Sequence, residues 1–446
     1  MTHLNLLENL GWRDSSGKSL EEVHRSIPIP PGMSLGRKML AFAGPGFLVA
    51  VGYMDPGNWA TDLAAGSAFG YKLLFVILIS NLFAILLQHL AVKLGIATGH
   101  DLAQMCREAF PKPVAIFMWL MAEAMIIACD LAEVIGSAIG LNLLFGLPLI
   151  IGVVITAADV LLLLALQERG FRYLEALVIT LIATIAVCFG IEIFLSHPSA
   201  VPLLLGFIPD PRIFSNADML YIAIGILGAT VMPHNLYLHS AVVQTRAYVE
   251  NESGKREAIK FSTIDSTFAL VFAFFVNAAI LIVSAAVFYS AGYHAITDIS
   301  EAQRLLAPLL GTTLAGIVFA IALLASGQNS TLTGTMAGQI IMEGFINIRV
   351  SPWVRRLATR LLAILPAAGV IIFFGEKELG RLLILSQVVL SLQLSFAVFP
   401  LVAFTASKKR MGTFANGWVL STLSYSVAST IAVLNGWLLY LIFVPA

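Results

Sequence analysis

Charge is what this sequence has least of. Only 12% of its 446 residues are Asp, Glu, Lys or Arg, about half the share of a soluble domain. The 26 acidic and 26 basic residues cancel, so no nucleic acid or other strongly charged partner is implied. Cysteine is scarce. Cys106, Cys129 and Cys188 lie in separate segments without CxxC spacing, which argues against a disulfide framework or thiolate metal centre and leaves three small apolar side chains. No Walker motif points to ATP, and neither an HExxH helix nor a nucleophile–base pair at hydrolase spacing is present. No enzyme activity and no resident cofactor are expected. Residues 1–38 are polar, contain Ile27-Pro28-Ile29-Pro30-Pro31-Gly32, and lack the regions of a signal peptide, so they read as a cytoplasmic tail.

What remains is apolar. Hydrophobic residues make up 59% and the mean hydropathy is +0.90. Spanning helices need about 20 apolar residues. Eleven segments qualify, roughly 40–68, 71–95, 113–142, 147–166, 172–195, 217–246, 263–290, 305–344, 355–374, 380–405 and 417–442. The eighth is long enough to project into water. With the N-terminus inside, all but five of the 26 lysines and arginines fall on the inner side, the exceptions being Lys72, Arg212, Arg304, Lys377 and Arg381. That asymmetry fixes the orientation and puts the C-terminus outside. An all-α, multi-pass protein of the cell membrane is expected.

Two of the spans are interrupted. Asp55-Pro56-Gly57-Asn58 lies inside the run from Met39 to Phe69, and Met232-Pro233-His234-Asn235 inside the run from Met219 to Val243. Each has Pro second and Asn fourth. Proline breaks the helix ladder, and freed carbonyls at membrane depth must line a cavity or bind something. If 55–58 were a loop, Trp59 to Gly70 would be too short to span. Matching breaks five spans apart point to inverted repeats with a midplane site. Residues 39–196 and 217–405 are the expected repeats, with 417–442 an added helix, together forming a transporter domain over 39–446.

The residues at the breaks suit a cation. A carboxylate at Asp55 is costly in a bilayer unless something offsets it, and Asn58 can converge on it from one turn away. Gly52 and Ala229, each three residues before the motif's first position, offer orphan carbonyls. Met232 holds the position equivalent to Asp55 and adds a thioether. Thioethers bind hard Mg²⁺ and Ca²⁺ poorly and softer first-row metals better. The set suits Mn²⁺ or Fe²⁺, admits Co²⁺, Zn²⁺ and Cd²⁺, and disfavours the abundant hard ions.

Gly52-Tyr53-Met54-Asp55-Pro56-Gly57-Asn58 and Met232-Pro233-His234-Asn235-Leu236-Tyr237-Leu238-His239-Ser240 resemble the paired signatures of the Nramp family of proton-coupled divalent-metal transporters. The resemblance runs from about Gly44 to the C-terminus. It implies a five-plus-five inverted repeat of the LeuT type with helices 1 and 6 broken. It also implies metal binding at Asp55, Asn58, Met232 and the Ala229 carbonyl, with Gln387 joining in some conformations. Position 52 is more often Ala in that family; glycine leaves the carbonyl in place.

Span 3 carries Glu123, Asp130 and Glu133 within about 80° of one helix face. Buried like charges suit proton carriage. Arg355 and Arg356, at the start of span 9, are candidate partners. The resemblance supports a proton route through Asp55, Asp130, Glu133 and Arg356, beside which His234 can hydrogen-bond. His239 reads as structural, and Asn277 as a gating residue. Asn251-Glu252-Ser253 matches a glycosylation pattern on the inner side, hence by chance. Ser326 to Thr331 form a polar stretch suited to close packing or a gate. A secondary transporter, working as a monomer with divalent metal, protons and lipid as its only partners, explains these features. A cation channel would call for a ring of identical groups and no paired breaks. An intramembrane metalloenzyme would call for a general base that is missing.

Overall fold

The computed structural model describes residues 13–14, 20–30, 32–156, 171–349, 352–373, 375 and 378–443. Helix dominates, because in hydrocarbon each N–H and C=O must be paired within its own segment. Among the described residues, eight helical stretches are long and apolar enough to cross a membrane: 56–98, 112–145, 171–196, 217–245, 252–289, 313–346, 379–406 and 418–441, with Leu357–Phe373 a shorter apolar stretch. The expected fourth span opens with the helix Leu149–Ile155, and its remainder from residue 157 lies outside the described residues.

The expected first span is a succession of helices: α1 (Leu35–Phe42), α2 (Pro45–Gly52) and α3 (Pro56–Phe69). Pro56 starts α3, at the one helical position where a missing N–H costs nothing. Asp55 caps α3, its Oδ1 accepting from the Asn58 N–H at 2.8 Å. Next come α4 (Leu74–Thr98), α5 (Lys112–Phe145) and α6 (Phe171–Ser196). The sixth expected span also splits, into α7 (Ala217–Val231) and α8 (Pro233–Val242), with Met232 as the single non-helical joint at φ 7° and ψ 108°. Both breaks therefore fall where proline predicts them.

Two boundaries differ from the sequence reading. Helix α9 (Glu252–Ser284) starts about three turns earlier than expected, because the Asn251 side chain caps it by accepting from the Gly254 N–H at 2.8 Å. The chance glycosylation match is thus a capping device. The expected eighth span, 305–344, divides into α10 (Ile299–Leu310) and α11 (Thr313–Ile346). Gly311, at φ +69°, ends the first in the left-handed conformation, and the Thr312 hydroxyl caps the second. The chain closes with α12 (Pro352–Phe373), α13 (Leu379–Ala406) and α14 (Trp418–Phe443).

Helix α3 packs on α7, α9 and α13, while α5 packs on α11 and α12, so the two breaks are enclosed by the bundle. The half-helix α2 is pinned at its start. Arg246 pairs with Glu175 at 2.8 Å and donates to the carbonyls of Ala41 and Ala43 at 3.3 and 2.6 Å. Arg172 donates to the same two carbonyls, at 2.8 Å each. Asp265 accepts from the Gly46 N–H at 2.7 Å. Arg246 is only 1% exposed, so this arginine is a buried structural group and not a surface charge. The described part of the N-terminal tail is stitched down: β2 (Ile27–Pro28) pairs in parallel with β3 (Arg246–Ala247), and β1 (Arg13–Asp14) pairs antiparallel with β4 (Ile348–Arg349).

Candidate functional site

The two breaks meet at one side chain. The Asn58 Nδ2 lies 2.7 Å from Asp55 Oδ1, 2.9 Å from the Ala229 carbonyl and 3.3 Å from the Gly52 carbonyl. Three oxygens from both broken helices thus converge on an amide nitrogen that has two hydrogens to give. All of this is buried: Asp55, Gly52 and Ala229 are fully enclosed and Asn58 is 1% exposed. A point surrounded by more acceptors than donors suits a cation.

The surroundings fit the same description. Asp55 Oδ2 and Gln387 Oε1 are buried acceptors with no hydrogen-bond partner among the described residues. Gln387, on α13, lies against the motif because two glycines let it: a Cβ on Gly57 would collide with the Gln387 amide, and one on Gly228 with its carbonyl. Met232 is fully buried at its joint. Asn277, on α9, donates to the unwound Tyr53 carbonyl at 2.7 Å and to Asn58 Oδ1 at 3.3 Å. It props the break open from outside the motif. Among the described residues no three His, Cys, Asp or Glu side chains cluster in a way that could hold a metal. A metal here must rely on one carboxylate plus amide, carbonyl and thioether groups.

A second polar group lies on α5. The Glu133 carboxylate meets Arg360 at 3.2 Å, and Asp130 lies 4.0 Å from the same guanidinium. Arg360 also donates to Thr331 Oγ1 at 2.9 Å. Arg360 and Glu133 are completely buried. Sequence reasoning takes Arg360 as an inner-face charge and names Arg355 and Arg356 instead; the side chains of those two lie outside the described residues. The missed signal is depth, since Arg360 sits one turn further into the apolar run. Glu123 does not join the group. It is ten residues, about 15 Å, along the helix from Glu133, where it accepts from the Trp119 indole N–H at 3.0 Å.

Cys129 connects the two groups. Its Sγ lies 3.7 Å from Glu133 Oε1 and 4.0 Å from His234 Nε2. The sequence marks it only as a small apolar residue, yet it is one turn from Glu133 and adjacent to Asp130. His234 points at this thiol, and its Nδ1 has no partner. His239 is held elsewhere, by Gln88 at 2.9 Å, and Gln88 in turn donates to the Tyr53 hydroxyl.

Residues 46–441 match the family described as natural resistance-associated macrophage protein-like, Nramp. The chain is 61% identical over 421 residues to the divalent metal cation transporter MntH of Nostoc sp., covering 94% of this chain and 95% of that one. It is 60% identical over 430 residues to the MntH of Listeria innocua, with 96% of each covered. This chain belongs to the Nramp family. Its fold superposes on the Eremococcus coleocola manganese transporter with a TM-score of 0.87 at 39% identity, covering 96% of this chain and 92% of that one. The nucleobase–cation symporter Mhp1 aligns with a TM-score of 0.59 at 14% identity over 89% of each chain, a likeness of fold alone. The chain is therefore an all-α, multi-pass membrane transporter with a LeuT-type architecture.

Proposed function

We propose that this protein imports divalent transition-metal ions, Mn²⁺ or Fe²⁺ foremost, coupled to proton entry by alternating access. The observation that carries the reading is the convergence of Asp55, Gly52 and Ala229 oxygens on the Asn58 amide. A dication at that point takes the place of the amide hydrogens. The Asn58 amide then turns its oxygen inward, and Met232 sulfur and Gln387 Oε1 complete the set. Sulfur selects against Mg²⁺ and Ca²⁺, which dominate in cells. The names of the relatives, divalent metal cation and manganese transporters, agree.

The single carboxylate explains the coupling. A dication and a proton compete for Asp55, so metal entry displaces the proton. His234, Cys129, Glu133 and Asp130 offer it a route away, with Arg360 closing the far end. Cargo and proton leave by different elements, the metal between the half-helices and the proton along α5. The protein lies in the cell membrane with its N-terminus inside and its C-terminus outside, works as a monomer, and carries no resident cofactor.

The test is uptake into proteoliposomes with Mn²⁺ flux and internal pH followed together. Saturable Mn²⁺ entry that acidifies the lumen and accelerates with an inward proton gradient is expected. Uptake indifferent to pH, or unitary channel currents, refutes the coupling.

A further inference from the structure

Asn235 is the one polar member of the paired motifs that the site just described leaves unused. It stands in the same register as Asn58. Pro56 and Pro233 each open a half-helix, and Asn58 and Asn235 each lie two residues beyond. Asn58 has its amide in the ring of oxygens. Asn235 is fully buried, and among the described residues neither its Oδ1 nor its Nδ2 has a hydrogen-bond partner. A carboxamide offers two donors and two acceptor lone pairs, and buried groups of this kind are almost always paired. An amide with none of its bonds made calls for a ligand.

Its neighbour identifies which one. The Asn235 amide abuts Gly52, close enough that a Cβ on Gly52 would collide with Nδ2 and lie 3.2 Å from Oδ1. Gly52 is the residue whose carbonyl forms part of the oxygen ring. Asn235 therefore lies beside the residue that supplies this oxygen, where α2 and α8, the half-helices on the proposed inner side, pack on each other. Asn58 belongs to an outer half-helix. Half a turn of the Asn235 amide exchanges nitrogen for oxygen and sacrifices no hydrogen bond.

We propose that Asn235 is a second metal-contacting amide, which receives the ion on the inner side of the site as it leaves Asn58. This rests on the metal site proposed above. A neutral amide oxygen can share a divalent first-row ion without trapping it. A carboxylate there would hold it, because charge count raises affinity.

The experiment measures Mn²⁺ binding to the detergent-solubilised protein by calorimetry, and initial Mn²⁺ uptake in proteoliposomes. Asn235→Leu keeps bulk and removes the oxygen. The expected result is Mn²⁺ affinity weaker by about tenfold, the worth of ~1.4 kcal/mol, with KM raised and melting temperature little changed. Asn235→Asp should bind more tightly and turn over more slowly, lowering KM and kcat together, because release becomes limiting. Should Asn235→Leu not fold, Asn235→Asp decides. A residue that merely fills space gives the opposite pattern, with melting temperature lowered and both Kd and KM within about twofold of wild type; that result overturns the inference. Asp55→Asn serves as the control. If it abolishes binding while the Asn235 variants bind normally, only this inference falls. If it too binds normally, the metal site itself is misassigned.

Discussion

Replacing Arg360 with Gln should expose how tightly the α5 group depends on it. The guanidinium lies 3.2 Å from Glu133 and 4.0 Å from Asp130, and is completely buried. At an effective dielectric near 20, those separations correspond to attractions of about 5 and about 4 kcal/mol. Much of that is offset by the desolvation of three ions. The substitution removes the compensation and leaves the desolvation, so two carboxylates remain buried beside a neutral amide. Losing one partner of such a group costs about 3–5 kcal/mol. Glu133→Gln in the same molecule should recover at least ~2 kcal/mol, since neighbouring sites couple by amounts of that order. Arg360→Lys keeps the charge but not the planar fork that reaches Glu133 and Thr331 together, and should fall between. The assay is denaturant unfolding in one detergent of five proteins, wild type, both single Gln variants, the double variant and Arg360→Lys, with lumen acidification measured on each in liposomes. Additive losses, with coupling below about 0.5 kcal/mol, would refute the ion pair as the organising contact of α5 and α12.

Three further outcomes follow from the site. Asp55→Asn should reduce Mn²⁺ uptake below about a tenth of wild type at equal expression, a loss of at least ~1.4 kcal/mol in transition-state terms, because the only carboxylate in the oxygen ring is gone; retained uptake contradicts its role. Met232→Ala should damage selectivity more than capacity, letting excess Ca²⁺ compete with Mn²⁺ and weakening Cd²⁺ uptake; unchanged Ca²⁺ competition refutes the thioether argument. Glu133→Gln should leave Mn²⁺ binding near wild type while metal-stimulated proton entry falls, as read by an internal pH dye; lost Mn²⁺ binding would instead attach Glu133 to the metal site.

Proline makes the two breaks legible in the sequence. Its missing N–H and its ring favour the first position of a helix, and Pro56 and Pro233 mark where α3 and α8 begin, whereas Pro308, Pro366 and Pro400 lie inside α10, α12 and α13 without such polar neighbours. The convergence at Asn58 is half legible. Its three-residue spacing from Asp55 puts both on one turn, but its 2.9 Å contact with the Ala229 carbonyl joins residues 171 positions apart. Such a contact depends on how α3 and α7 are rotated against each other, which helical periodicity does not encode. The same limit explains Arg360. Hydropathy and the positive-inside rule place an arginine by side of the membrane, and they do not see that it faces Glu133 across a helix interface. Cys129 escapes for a different reason. A thiol is apolar by composition and becomes a hydrogen-bonding group only when its neighbours, here Glu133 and His234, come within reach. The boundary between α10 and α11 is hidden because hydrophobicity runs through it, while Gly311 and Thr312 end one helix and start the next by backbone conformation and capping.

The pinning of α2 bears on how the site can open. The carbonyls just before it, of Ala41 and Ala43, are held by Arg246 from β3 and Arg172 from α6, both paired with Glu175, and its own Gly46 N–H is held by Asp265 from α9. Its last residue, Gly52, supplies an oxygen to the ring. Only Tyr53, Met54 and Asp55 lie between that residue and α3. A half-helix fixed at both ends cannot release the Gly52 carbonyl without either bending at the unwound segment or freeing the Arg246 contacts. The unwound segment is itself braced, since Tyr53 bonds to Asn277 through its carbonyl and to Gln88 through its hydroxyl, and the Met54 carbonyl accepts from the Ser326 hydroxyl. The contacts left to yield are the charged ones around Ala41 and Ala43, which the reading proposed above places towards the inner side. Opening towards the inner face should begin at Arg246 and reach the oxygen ring last. On the reading proposed above, that order keeps the ion held by Asp55 and Asn58 until a wet path to the inner face already exists, so the metal need never sit uncompensated in the low-dielectric interior.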